Sequence, residues 1–531
     1  MNISVNTCNK NDRSKITQSI KDTACWDMLV VGGGITGAGI AREAARQGFK
    51  VLLLEQKDFA WGTSSRSSKM VHGGLRYLAS GNLKLTSHSV KERERLMSEA
   101  PGLVDLQTYS WPHYKKKFPG PLVFNTLLAM YDFFAGKRYR YFQNKEQALY
   151  DLPGLSGEGL VGATRFADAL TDDARLVMRV LQEARRDGAS ILNYCQVDGL
   201  IKQDGKVTGV NATDSVSGKT YAISAKVVVS ATGAWADQLR GELGKEKKIR
   251  PLRGSHLIFP NWRLPSAQVI SLSHPDDGRS MFVYPWEGMT VVGTTDLDSP
   301  EANLTEPSIQ KDEVQYLLDA VNHLYPSLKI TRKDVISSFA GVRPIVSGGA
   351  LNPSSEKRDH SIWDDRGLIT VSGGKLTTFR LIALDVLKAA GNYLENIDGT
   401  DHGKNIFTQV KSMPVGIRKL GAYWSRRLSG FYGQDIQALS DCANGDWALV
   451  PGSKTFWAQI VFAARCENVV HLDDLLLRRT RVGLFLRSGG EDFQSKIKEI
   501  CQQELHWNDQ QWQTEWSNYQ TLWHKSYSIP A

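Results

Sequence analysis

The chain has 531 residues, of which 41% are hydrophobic, 23% charged and 9% aromatic, which is enough material for about three globular domains. This composition and a mean hydropathy of -0.32 exclude collagen-like, disordered and polytopic membrane proteins, since no uninterrupted apolar run reaches about 18 residues. The net charge of +9 permits an anionic substrate, an anionic membrane surface or nucleic acid, and selects none of them.

The amino-terminal segment and the cysteines bear on where the protein resides. The first 26 residues are polar and lack the apolar segment that a secretory signal requires, so we expect a loose tail there. The six cysteines are scattered, with no C-x-x-C pair and no regular spacing. This pattern disfavours a disulfide framework or a metal site, and it makes the reducing cytoplasm the expected compartment.

A strong pattern begins at Asp27 and predicts a strand, a glycine turn, a helix and a second strand. Residues 28–31 form a continuous apolar run, typical of a parallel strand buried on both faces. Residues 35–47 carry small side chains at helical spacing, and residues 51–55 close the unit. A β-α-β unit of this kind predicts an open α/β sheet.

The turn of this unit contains Gly32, Gly34 and Gly37 in the spacing G-x-G-x-x-G. The first glycine permits a tight turn, the second lets the backbone approach a pyrophosphate, and the third lets helix and strand pack closely. Glu55 ends the next strand roughly 20 residues further on, where a carboxylate accepts hydrogen bonds from a ribose. The motif predicts a dinucleotide site, and by itself it leaves NAD and FAD open.

Two later glycine segments favour FAD. Thr232 and Gly233 follow a buried strand, where the backbone can approach a nucleotide a second time. The run S-G-G-K at 372–375 ends another strand and begins a helix at Leu376. The amino end of a helix suits the edge of a flavin that becomes negative on reduction. Two helix ends in one site fit an extended FAD better than a transient NAD.

Residues 101–155 differ in composition from the α/β segments around them. Their apolar portion, 118–135, is interrupted by prolines and polar residues, so it cannot span a bilayer. It is flanked on both sides by basic residues, namely Lys115, Lys116, Lys117, Lys137, Arg138 and Arg140. Two interpretations stay open: a helix that lies on an anionic membrane surface, and a buried helix with solvated ends.

Together the patterns predict an α/β protein with a Rossmann-like dinucleotide-binding domain that is discontinuous in sequence. Short alternating strands predict an inserted substrate domain built on an antiparallel sheet. The last segment is polar, basic and rich in tryptophan, and it is predicted to be a helical carboxy-terminal domain. The predicted segments are 27–100, 156–240 and 336–395 for the first domain, 101–155 and 241–335 for the second, and 400–531 for the third.

Several longer motifs occur in a fixed order, namely VVGGGITGAGIA, TSSRSSKMVHGGLRYL, TDDARLV, ATGAWADQL, RGSHLIF, VVGTTDLD, FAGVRPI and SGGKLTTFR. In these motifs the chain resembles the FAD-dependent glycerol-3-phosphate dehydrogenases, members of the D-amino-acid-oxidase-like flavoproteins. The resemblance covers roughly residues 27–390. Beyond them it rests on the helical, basic character of the segment and on the run RRTRVGL.

The resemblance implies an enzyme that oxidises sn-glycerol 3-phosphate to dihydroxyacetone phosphate, with hydride transfer to FAD and electron transfer to a membrane quinone. It implies a cytoplasmic protein that associates peripherally with the inner face of the cytoplasmic membrane, so it favours membrane docking of the segment 118–135. It allows a homodimer. Nucleic acid is not an expected partner, because no recognised binding motif occurs.

The resemblance also implies a set of residues that contact FAD. The loop after the second strand contributes serines, and Lys69 and Arg66 lie in the same loop. We expect His72, which precedes two glycines, to lie against the flavin. The full cofactor set is Gly32, Gly34, Gly37, Glu55, Ser64, Ser65, Ser68, His72, Val197, Gly233, Gly373, Gly374, Leu376 and Thr377.

The substrate is a phosphomonoester, which needs cationic partners with several donors. The resemblance places Arg76, Tyr77, Arg358 and Thr295 at the substrate and adds His256, Arg343 and Lys375 as catalytic residues. His256 is the expected proton acceptor, since a histidine can take a proton near neutral pH. Arg343 is expected to orient the hydroxyl and stabilise developing charge. The alternatives are an ordinary sheet histidine for His256 and surface arginines elsewhere.

Three other functions stay open at this point. One is an oxidase of the same substrate that passes electrons to oxygen. Another is an amine or amino-acid oxidase on the same fold, which would not need several cations for a phosphate. The third is a binding protein with a flavin fold and no turnover, which the divergent carboxy-terminal third allows.

Overall fold

The structure, a computed structural model, describes residues 13–75, 78, 81–299, 304–347 and 359–530. The strands in these ranges are β1 (Trp26–Val31), β2 (Val51–Leu54), β3 (Met70–Val71), β4 (Val104–Tyr114), β5 (Tyr141–Asn144), β6 (Leu160–Thr171), β7 (Ser190–Leu192), β8 (Cys195–Gln203), β9 (Lys206–Asp214), β10 (Lys219–Ser230), β11 (Ile249–Pro260), β12 (Val269–Ser273), β13 (Ser280–Trp286), β14 (Met289–Gly293), β15 (Leu297–Asp298), β16 (Ser337–Val346), β17 (His360–Asp364) and β18 (Leu368–Gly373).

The helices divide between the body of the protein and its carboxy-terminal part. In the same ranges they are α1 (Arg13–Asp22), α2 (Ile35–Ala45), α3 (Leu83–Glu99), α4 (Pro121–Ala135), α5 (Lys145–Asp151), α6 (Asp173–Arg186), α7 (Ala236–Gly241), α8 (Lys311–Leu324), α9 (Phe379–Ala390), α10 (Val415–Arg418), α11 (Ala422–Tyr432), α12 (Ile436–Ala443), α13 (Trp457–Cys466), α14 (Val482–Phe485), α15 (Gln494–Leu505) and α16 (Asp509–Ser526). A π-helical segment, Asp474–Arg479, precedes α14.

The first sheet contains the predicted β-α-β unit. Strands β18, β10, β1, β2 and β7 lie side by side in this order and run parallel. Strand β17 adds an antiparallel edge, and β8 and β9 extend from β10 as antiparallel strands. Strand β2 is buried along its whole length and β1 at every position except Asp27, as their apolar runs predict.

Helix α2 packs between this sheet and its neighbouring helices α6 and α9. Its small residues permit this close packing, since a side chain in place of Gly39 would press against the ring of Phe379. Nearly every position of α2 is buried, so the helix belongs to the core of the protein. Its amino end, at Gly34 and Ile35, points out of that core toward a cavity.

The second sheet is almost entirely antiparallel, with the order β15-β11-β14-β13-β12-β4-β6-β3, where β16 pairs with β11 and β5 pairs with β6. Only the contact between β12 and β4 is parallel. Three of these strands lie in segments that the sequence assigned to the dinucleotide-binding domain. They are β3 at Met70–Val71, β6 at Leu160–Thr171 and β16 at Ser337–Val346.

The placement of these strands in the second sheet, rather than in the predicted domain, has a physical reason. Strand β6 is a long strand that pairs along its length with β4, and β16 pairs with ten residues of β11. Boundaries drawn from composition do not detect such pairings, because apolar strands of the two sheets have the same residue types. The consequence is functional: β16 runs from the second sheet directly toward β18 and joins the two sheets at the site described below.

The amino-terminal segment also differs from the expected loose tail. Residues Arg13–Asp22 form α1, which is attached to the first sheet because the Arg13 guanidinium donates to the Asn193 carbonyl oxygen at 2.8 Å and pairs with Asp214. Among the described residues, Cys25, Cys195, Cys442 and Cys501 carry free thiols. Within the described ranges, no helix combines the length and apolar character needed to cross a bilayer.

The carboxy-terminal helices share hydrophobic cores with both sheets. Side chains of α11, α12 and α13, including Leu428, Phe431 and Phe462, belong to the same buried cluster as α2 and β1. Side chains of α16, including Trp512 and Trp523, belong to a cluster that reaches β13 and β16. The carboxy-terminal part is therefore packed against the body of the protein.

Buried ion pairs join the same two parts. The run R-R-T-R lies inside the protein: Arg479 donates both terminal nitrogens to Asp58 at 2.6 and 2.7 Å, and Arg478 contacts the same carboxylate. Arg481 pairs with Asp172 at 3.2 Å and with Asp173. All these side chains are buried, so the arginines that the sequence left without a role compensate carboxylates at the domain boundary.

A further pair at this boundary gives a test of how such charges contribute to stability. Arg175 of α6 makes a bidentate contact with Glu467, and both side chains are buried. Arg175→Met is expected to lower the free energy of unfolding by about 3–5 kcal/mol, because Glu467 would stay buried without its counter-charge. Urea unfolding followed by circular dichroism measures this loss.

The double variant Arg175→Met/Glu467→Leu is the control. Because it removes both buried charges, we expect it to regain most of the stability that the single variant loses. Equal losses in the single and the double variant would contradict this account of the ion pair.

Candidate active site

The glycine turn between β1 and α2 has the close contacts that its sequence requires. Gly32 has a φ of +112°, and a Cβ there would lie 2.6 Å from the carbonyl oxygen of Ala231. A Cβ at Gly37 would overlap the carbonyl oxygen of Gly32. Gly34 is the N-cap of α2 and provides no side-chain cap, and Gly34, Ile35 and Thr36 at this helix start line the cavity.

Glu55 stands at the end of β2, on the wall of the same cavity. Its Oε2 accepts a hydrogen bond from the Gly33 amide at 2.6 Å, and its Oε1 accepts one from the Lys57 amide at 2.9 Å. Burial raises the pKa of this carboxyl, and the two amides oppose the rise. Each oxygen keeps a second lone pair for a ribose hydroxyl. Cys195 and Val197 line the cavity beside Glu55.

The other end of the cavity is formed by the two later glycine segments. Gly233 begins a 3₁₀ turn after β10, and its carbonyl oxygen accepts a hydrogen bond from the Ser372 hydroxyl at 3.2 Å. Gly373 and Gly374 both have positive φ angles, +81° and +82°, and lead into a 3₁₀ turn at Leu376–Thr378 before α9. Gly233, Ser372, Gly373 and Gly374 all line the cavity. One continuous cavity therefore connects the start of α2 with the turn before α9.

The loop after β2 crosses this cavity, and its serines have different surroundings. The Ser64 hydroxyl accepts a hydrogen bond from the Ile35 amide at 3.0 Å and lies at the start of α2. Ser65 is buried, and its hydroxyl donates to the Trp61 carbonyl oxygen at 3.4 Å. Ser67 lines the cavity, whereas the hydroxyl of Ser68 lies 2.9 Å from Nε2 of His256.

Arg66, in the middle of this loop, is directed neither to the cavity nor to solvent. Its guanidinium is buried and pairs with Glu306 at 2.6 Å, while its carbonyl oxygen presses against Gly341 of β16. Only a glycine fits at this point of the G-V-R-P run, because a Cβ would overlap that oxygen. This close approach brings the loop onto β16 and Ser68 onto β11.

His256 lies in β11 between Gly293 of β14 and Phe339 of β16. Its ring stacks on Phe339 at a centroid distance of 4.5 Å, and Nδ1 has no hydrogen-bond partner among the described residues. Burial lowers the pKa of His256 well below its ordinary value, and the charges of Lys69 and Arg343 lower it further. The ring is therefore neutral near pH 7 and can accept a proton.

Arg343 of β16 is held in place by a carboxylate and a hydroxyl. Its Nη1 donates to Asp296 at 2.9 Å, and its Nη2 donates to the Thr294 hydroxyl at 3.2 Å. Thr295 has different partners, because its hydroxyl donates to Glu313 at 2.6 Å and accepts from the Ser255 amide at 2.9 Å. Thr295 therefore supports the sheet, and Thr294 is the threonine that contacts Arg343.

Lys375 and Thr377 follow the second glycine turn, Gly373–Gly374. Lys375 lines the cavity, and its ammonium donates to the Ser89 hydroxyl of α3 at 3.0 Å. The Thr377 hydroxyl accepts a hydrogen bond from the His72 amide at 3.1 Å, which connects this turn to the segment around His72. The predicted substrate residues Arg76, Tyr77 and Arg358 lie outside the described residues.

A buried network holds the segment that follows His72. The Gly73 amide donates to the Tyr131 hydroxyl at 2.6 Å and to Asp168 at 3.2 Å, and Arg93 donates to Asp168 at 2.6 Å. A side chain at Gly73 would collide with Tyr131. Sequence reasoning did not find this network, since its members come from four separate segments and only Gly73 lies in a motif of the resemblance.

Sequence reasoning also missed the charges behind the loop. Lys69 is fully buried, contacts Asp173 at 3.2 Å, and lies 4.4 Å from the ring centre of Phe339. Burial lowers the pKa of its ammonium to about 8. A signal was present, since Lys69 and Asp173 both lie inside motifs of the resemblance, but neither motif indicates that the two side chains meet.

These residues fit FAD. The cavity joins a ribose acceptor at Glu55, two helix starts without side-chain caps and a second glycine turn beside Lys375. Pyrophosphate suits the first helix start, and the edge of a reduced flavin suits the second. Within the described ranges, no group of histidine, cysteine or carboxylate side chains has the arrangement of a metal site.

The contact between Gly37 and Gly32 supplies a test of the cofactor site. Gly37→Ala is expected to weaken FAD binding by about 1–3 kcal/mol or more, since the added methyl group separates α2 from its turn. The ratio of flavin to protein after gel filtration measures the effect. Gly241→Ala is the matched control, because nothing lies within 4 Å of a Cβ at that position and full flavin content is expected. Full flavin content in Gly37→Ala would refute the proposed role of the turn.

Two family models match the chain. Residues 27–383 match the model described as FAD dependent oxidoreductase, and residues 396–512 match the C-terminal domain of alpha-glycerophosphate oxidase. The first match contains the glycine turn and the residues around the cavity. The second contains most of the carboxy-terminal helices.

Individual proteins are similar over most of the chain. The aerobic glycerol-3-phosphate dehydrogenase of Bacillus subtilis is 37% identical over 422 residues, which cover 78% of this chain and 74% of that protein. The enzyme of the same name from Staphylococcus epidermidis is 32% identical over 528 residues, 94% of each chain. The solved glycerol-3-phosphate dehydrogenase of Bacillus halodurans, complexed with FAD, is 28% identical with a TM-score of 0.78, and the match covers 97% of this chain and 98% of that one.

These similarities confirm the predicted fold class and the predicted cofactor, FAD. The chain belongs to the family of FAD-dependent oxidoreductases, in the group that includes the aerobic glycerol-3-phosphate dehydrogenases.

Proposed function

We propose that the protein oxidises sn-glycerol 3-phosphate to dihydroxyacetone phosphate and passes the electrons to a membrane quinone. The observation that carries this proposal is a buried, neutral histidine, His256, whose Nδ1 has no partner among the described residues and which lies near the oriented cation Arg343. The names of the relatives with 32–37% identity support the choice of substrate.

The reaction removes a hydride from C2 of the substrate and a proton from its hydroxyl, which leaves the ketone. FAD, when bound, supplies the acceptor for the hydride and its two electrons. His256 takes the proton at Nδ1, the ring nitrogen without a partner among the described residues. The Ser68 hydroxyl supports this role, because it lies 2.9 Å from Nε2, where it can accept a hydrogen bond from Nε2–H in the tautomer whose Nδ1 keeps its lone pair.

Arg343 binds and orients the substrate oxygen. Asp296 and Thr294 hold the guanidinium plane, so its donors stabilise the negative charge that develops as the hydroxyl loses its proton. Because the pKa of an arginine is very high, Arg343 does not act as the base itself. Lys375 supplies a cation at the second glycine turn, and Arg76, Tyr77 and Arg358 complete the proposed phosphate site by the resemblance.

The decisive test is anaerobic mixing of the yellow holoenzyme with glycerol 3-phosphate, followed by stopped-flow absorption of the oxidised flavin band. We expect the band to bleach, and His256→Asn to slow bleaching by about 100-fold or more.

The pH dependence of flavin reduction tests the protonation state of His256. At low substrate concentration the wild-type rate should stay level as pH falls through the ordinary histidine range and decline only below it, since the pKa of His256 is lowered. His256→Asn, measured at each pH, corrects for titration of the substrate phosphate.

Unchanged absorption at saturating glycerol 3-phosphate would overturn the proposed reaction. The acceptor is tested on the reduced protein in the same instrument. A soluble quinone analogue should reoxidise the flavin faster than oxygen does, whereas hydrogen peroxide formed in proportion to the substrate consumed would identify an oxidase instead.

Helix α4 supports the proposed contact with a membrane. One face of it, with Phe124, Leu128 and Tyr131, is buried. The opposite face is apolar and open, since Leu122 and Phe133 are each 82% exposed, as is Phe118 just before the helix. The buried face packs as the interpretation of a buried helix requires, and the open apolar face is the one that we propose to contact the membrane.

Charges around this face suit an anionic lipid surface. The three lysines before the helix are exposed, and Lys137 and Arg138 after it are exposed as well. Exposed apolar side chains beside exposed cations match the requirements of interfacial binding, in which the rings enter the headgroup region and the cations contact lipid phosphates. A quinone dissolved in the bilayer would then lie within reach of the protein.

The triple variant Phe118→Ser/Leu122→Ser/Phe133→Ser is expected to lose about 10-fold or more of its binding to vesicles containing phosphatidylglycerol, because three apolar side chains no longer enter the interface. Sedimentation with the vesicles measures binding. Tyr150→Ser/Trp262→Ser is the matched control, since these aromatic residues are equally open to solvent but lie outside α4. Equal losses in both variants, or wild-type binding in the triple variant, would contradict a docking role for α4.

A further inference from the structure

One carboxylate, Asp173 at the start of α6, holds the loop segment that lies between the cavity and His256. Its Oδ2 accepts hydrogen bonds from the Ser67 amide at 3.0 Å and from the Ser67 hydroxyl at 2.7 Å. Both of its oxygens contact the ammonium of Lys69 at 3.2 Å. Ser68 lies between these two anchored residues, so the position of its side chain depends on them.

Asp173 is held in turn by the carboxy-terminal part of the protein. Arg481 pairs with Asp173, contacts Asp172 at 3.2 Å, and donates to the carbonyl oxygen of Ser65 at 3.1 Å. Arg481, Asp172 and Asp173 are all buried. Two cations, Arg481 and Lys69, thus face two aspartates, and the charges of this cluster balance without help from solvent.

The same loop segment meets His256 in two ways. The Ser68 hydroxyl lies 2.9 Å from Nε2, and the Lys69 ammonium and the His256 ring both lie against Phe339, with centroid distances of 4.4 and 4.5 Å. The charged groups that act on His256 are Lys69 from the loop and Arg343 from β16, while β14 presents only Gly293 to it. A small movement of the loop would therefore change the hydrogen bond and the electrostatic field at the ring together.

We propose that Arg481 is a positioning residue for the reaction: through Asp173 it holds the loop 67–69 where the Ser68 oxygen accepts the hydrogen bond from Nε2 of His256, so that Nδ1 keeps its lone pair. This inference rests on the proposed function of His256 as proton acceptor. It makes the carboxy-terminal part a component of the site, although none of its described residues lines the cavity.

The physical reason is that a neutral imidazole carries one proton, on either Nδ1 or Nε2. A hydroxyl held as an acceptor at Nε2 stabilises the tautomer with the proton on Nε2, whereas a hydroxyl that turns and donates to Nε2 stabilises the tautomer with the proton on Nδ1. If the loop no longer fixes Ser68, the second tautomer becomes populated and cannot accept a proton from the substrate at Nδ1. A displacement of about 1 Å in a supporting group is enough to cost about 100-fold in rate.

The test compares three holoenzymes, the wild type, Arg481→Met and Arg481→Lys, by anaerobic flavin reduction at several concentrations of glycerol 3-phosphate. In Arg481→Met we expect the limiting rate to fall about 10- to 100-fold, with an apparent dissociation constant for glycerol 3-phosphate that stays within about twofold. Arg481→Lys should recover part of the rate, because it restores the charge without the forked geometry.

A second readout does not use the substrate. Holoenzymes labelled with ¹⁵N-histidine are compared by nuclear magnetic resonance, and the signals of His256 are identified by their loss in His256→Asn. We expect a single tautomer with the proton on Nε2 in the wild type and signals of both tautomers in Arg481→Met. If glycerol 3-phosphate fails to reduce the wild type but the tautomer still changes in Arg481→Met, the positioning role stands and the proposed function falls.

Two further variants separate positioning from stability. Ser67→Ala removes one hydrogen bond between the loop and Asp173 and leaves no unpaired buried charge, so it remains informative if Arg481→Met does not fold. In this variant we expect the limiting rate of flavin reduction to fall about 3- to 10-fold, with signals of both His256 tautomers. Arg465→Met is the control, since it breaks a bidentate pair with Glu504 within the carboxy-terminal helices, and only thermal stability should fall. The proposal would be overturned if Arg481→Met and Ser67→Ala both kept the wild-type rate and a single Nε2–H tautomer. It would also be overturned if the wild type itself showed the Nδ1–H tautomer.

Discussion

The organisation of this protein depends on one electrostatic constraint, the compensation of buried aspartates by cations from distant segments. Asp58, Asp172 and Asp173 are removed from water, and an uncompensated buried charge costs several kcal/mol. Arg478, Arg479 and Arg481 supply the counter-charges from a single short run. Because the arginine fork accepts only certain approaches, this compensation also sets the relative position of the carboxy-terminal helices and the loop over the cavity.

The cofactor site was the part of the molecule most accessible from sequence. Its requirements are local: Gly32 must adopt a positive φ, Gly37 must leave room for a carbonyl oxygen, and a carboxylate must follow the second strand. Residues near one another in the chain satisfy these conditions, so spacing alone reveals them. The two-sheet architecture was accessible for the same reason, because apolar runs and alternating patterns report burial directly.

The partners of individual side chains were not accessible in this way. Arg66 and the R-R-T-R run have the residue types of an exposed surface, and only the fold places Glu306, Asp58 and Asp173 beside them. Thr294 and Thr295 are adjacent and chemically identical, yet only Thr294 contacts Arg343, since neighbouring residues of an extended segment point to opposite sides. Motifs report which residues belong to a site and leave open which of them meet.

The buried aspartates have a consequence for the synthesis of the chain. Asp58 and its partner Arg478 are 420 residues apart, and Arg481 follows Asp173 by 308 residues. Chains emerge from the ribosome amino terminus first, so the glycine turn and the loop exist long before their counter-charges do. Asp58 cannot meet its arginines until residues 478 and 479 have been made, and Asp172 and Asp173 cannot meet Arg481 until residue 481 has been made. The final arrangement of the loop beside the cavity therefore depends on residues that are synthesised more than 300 positions after the loop itself.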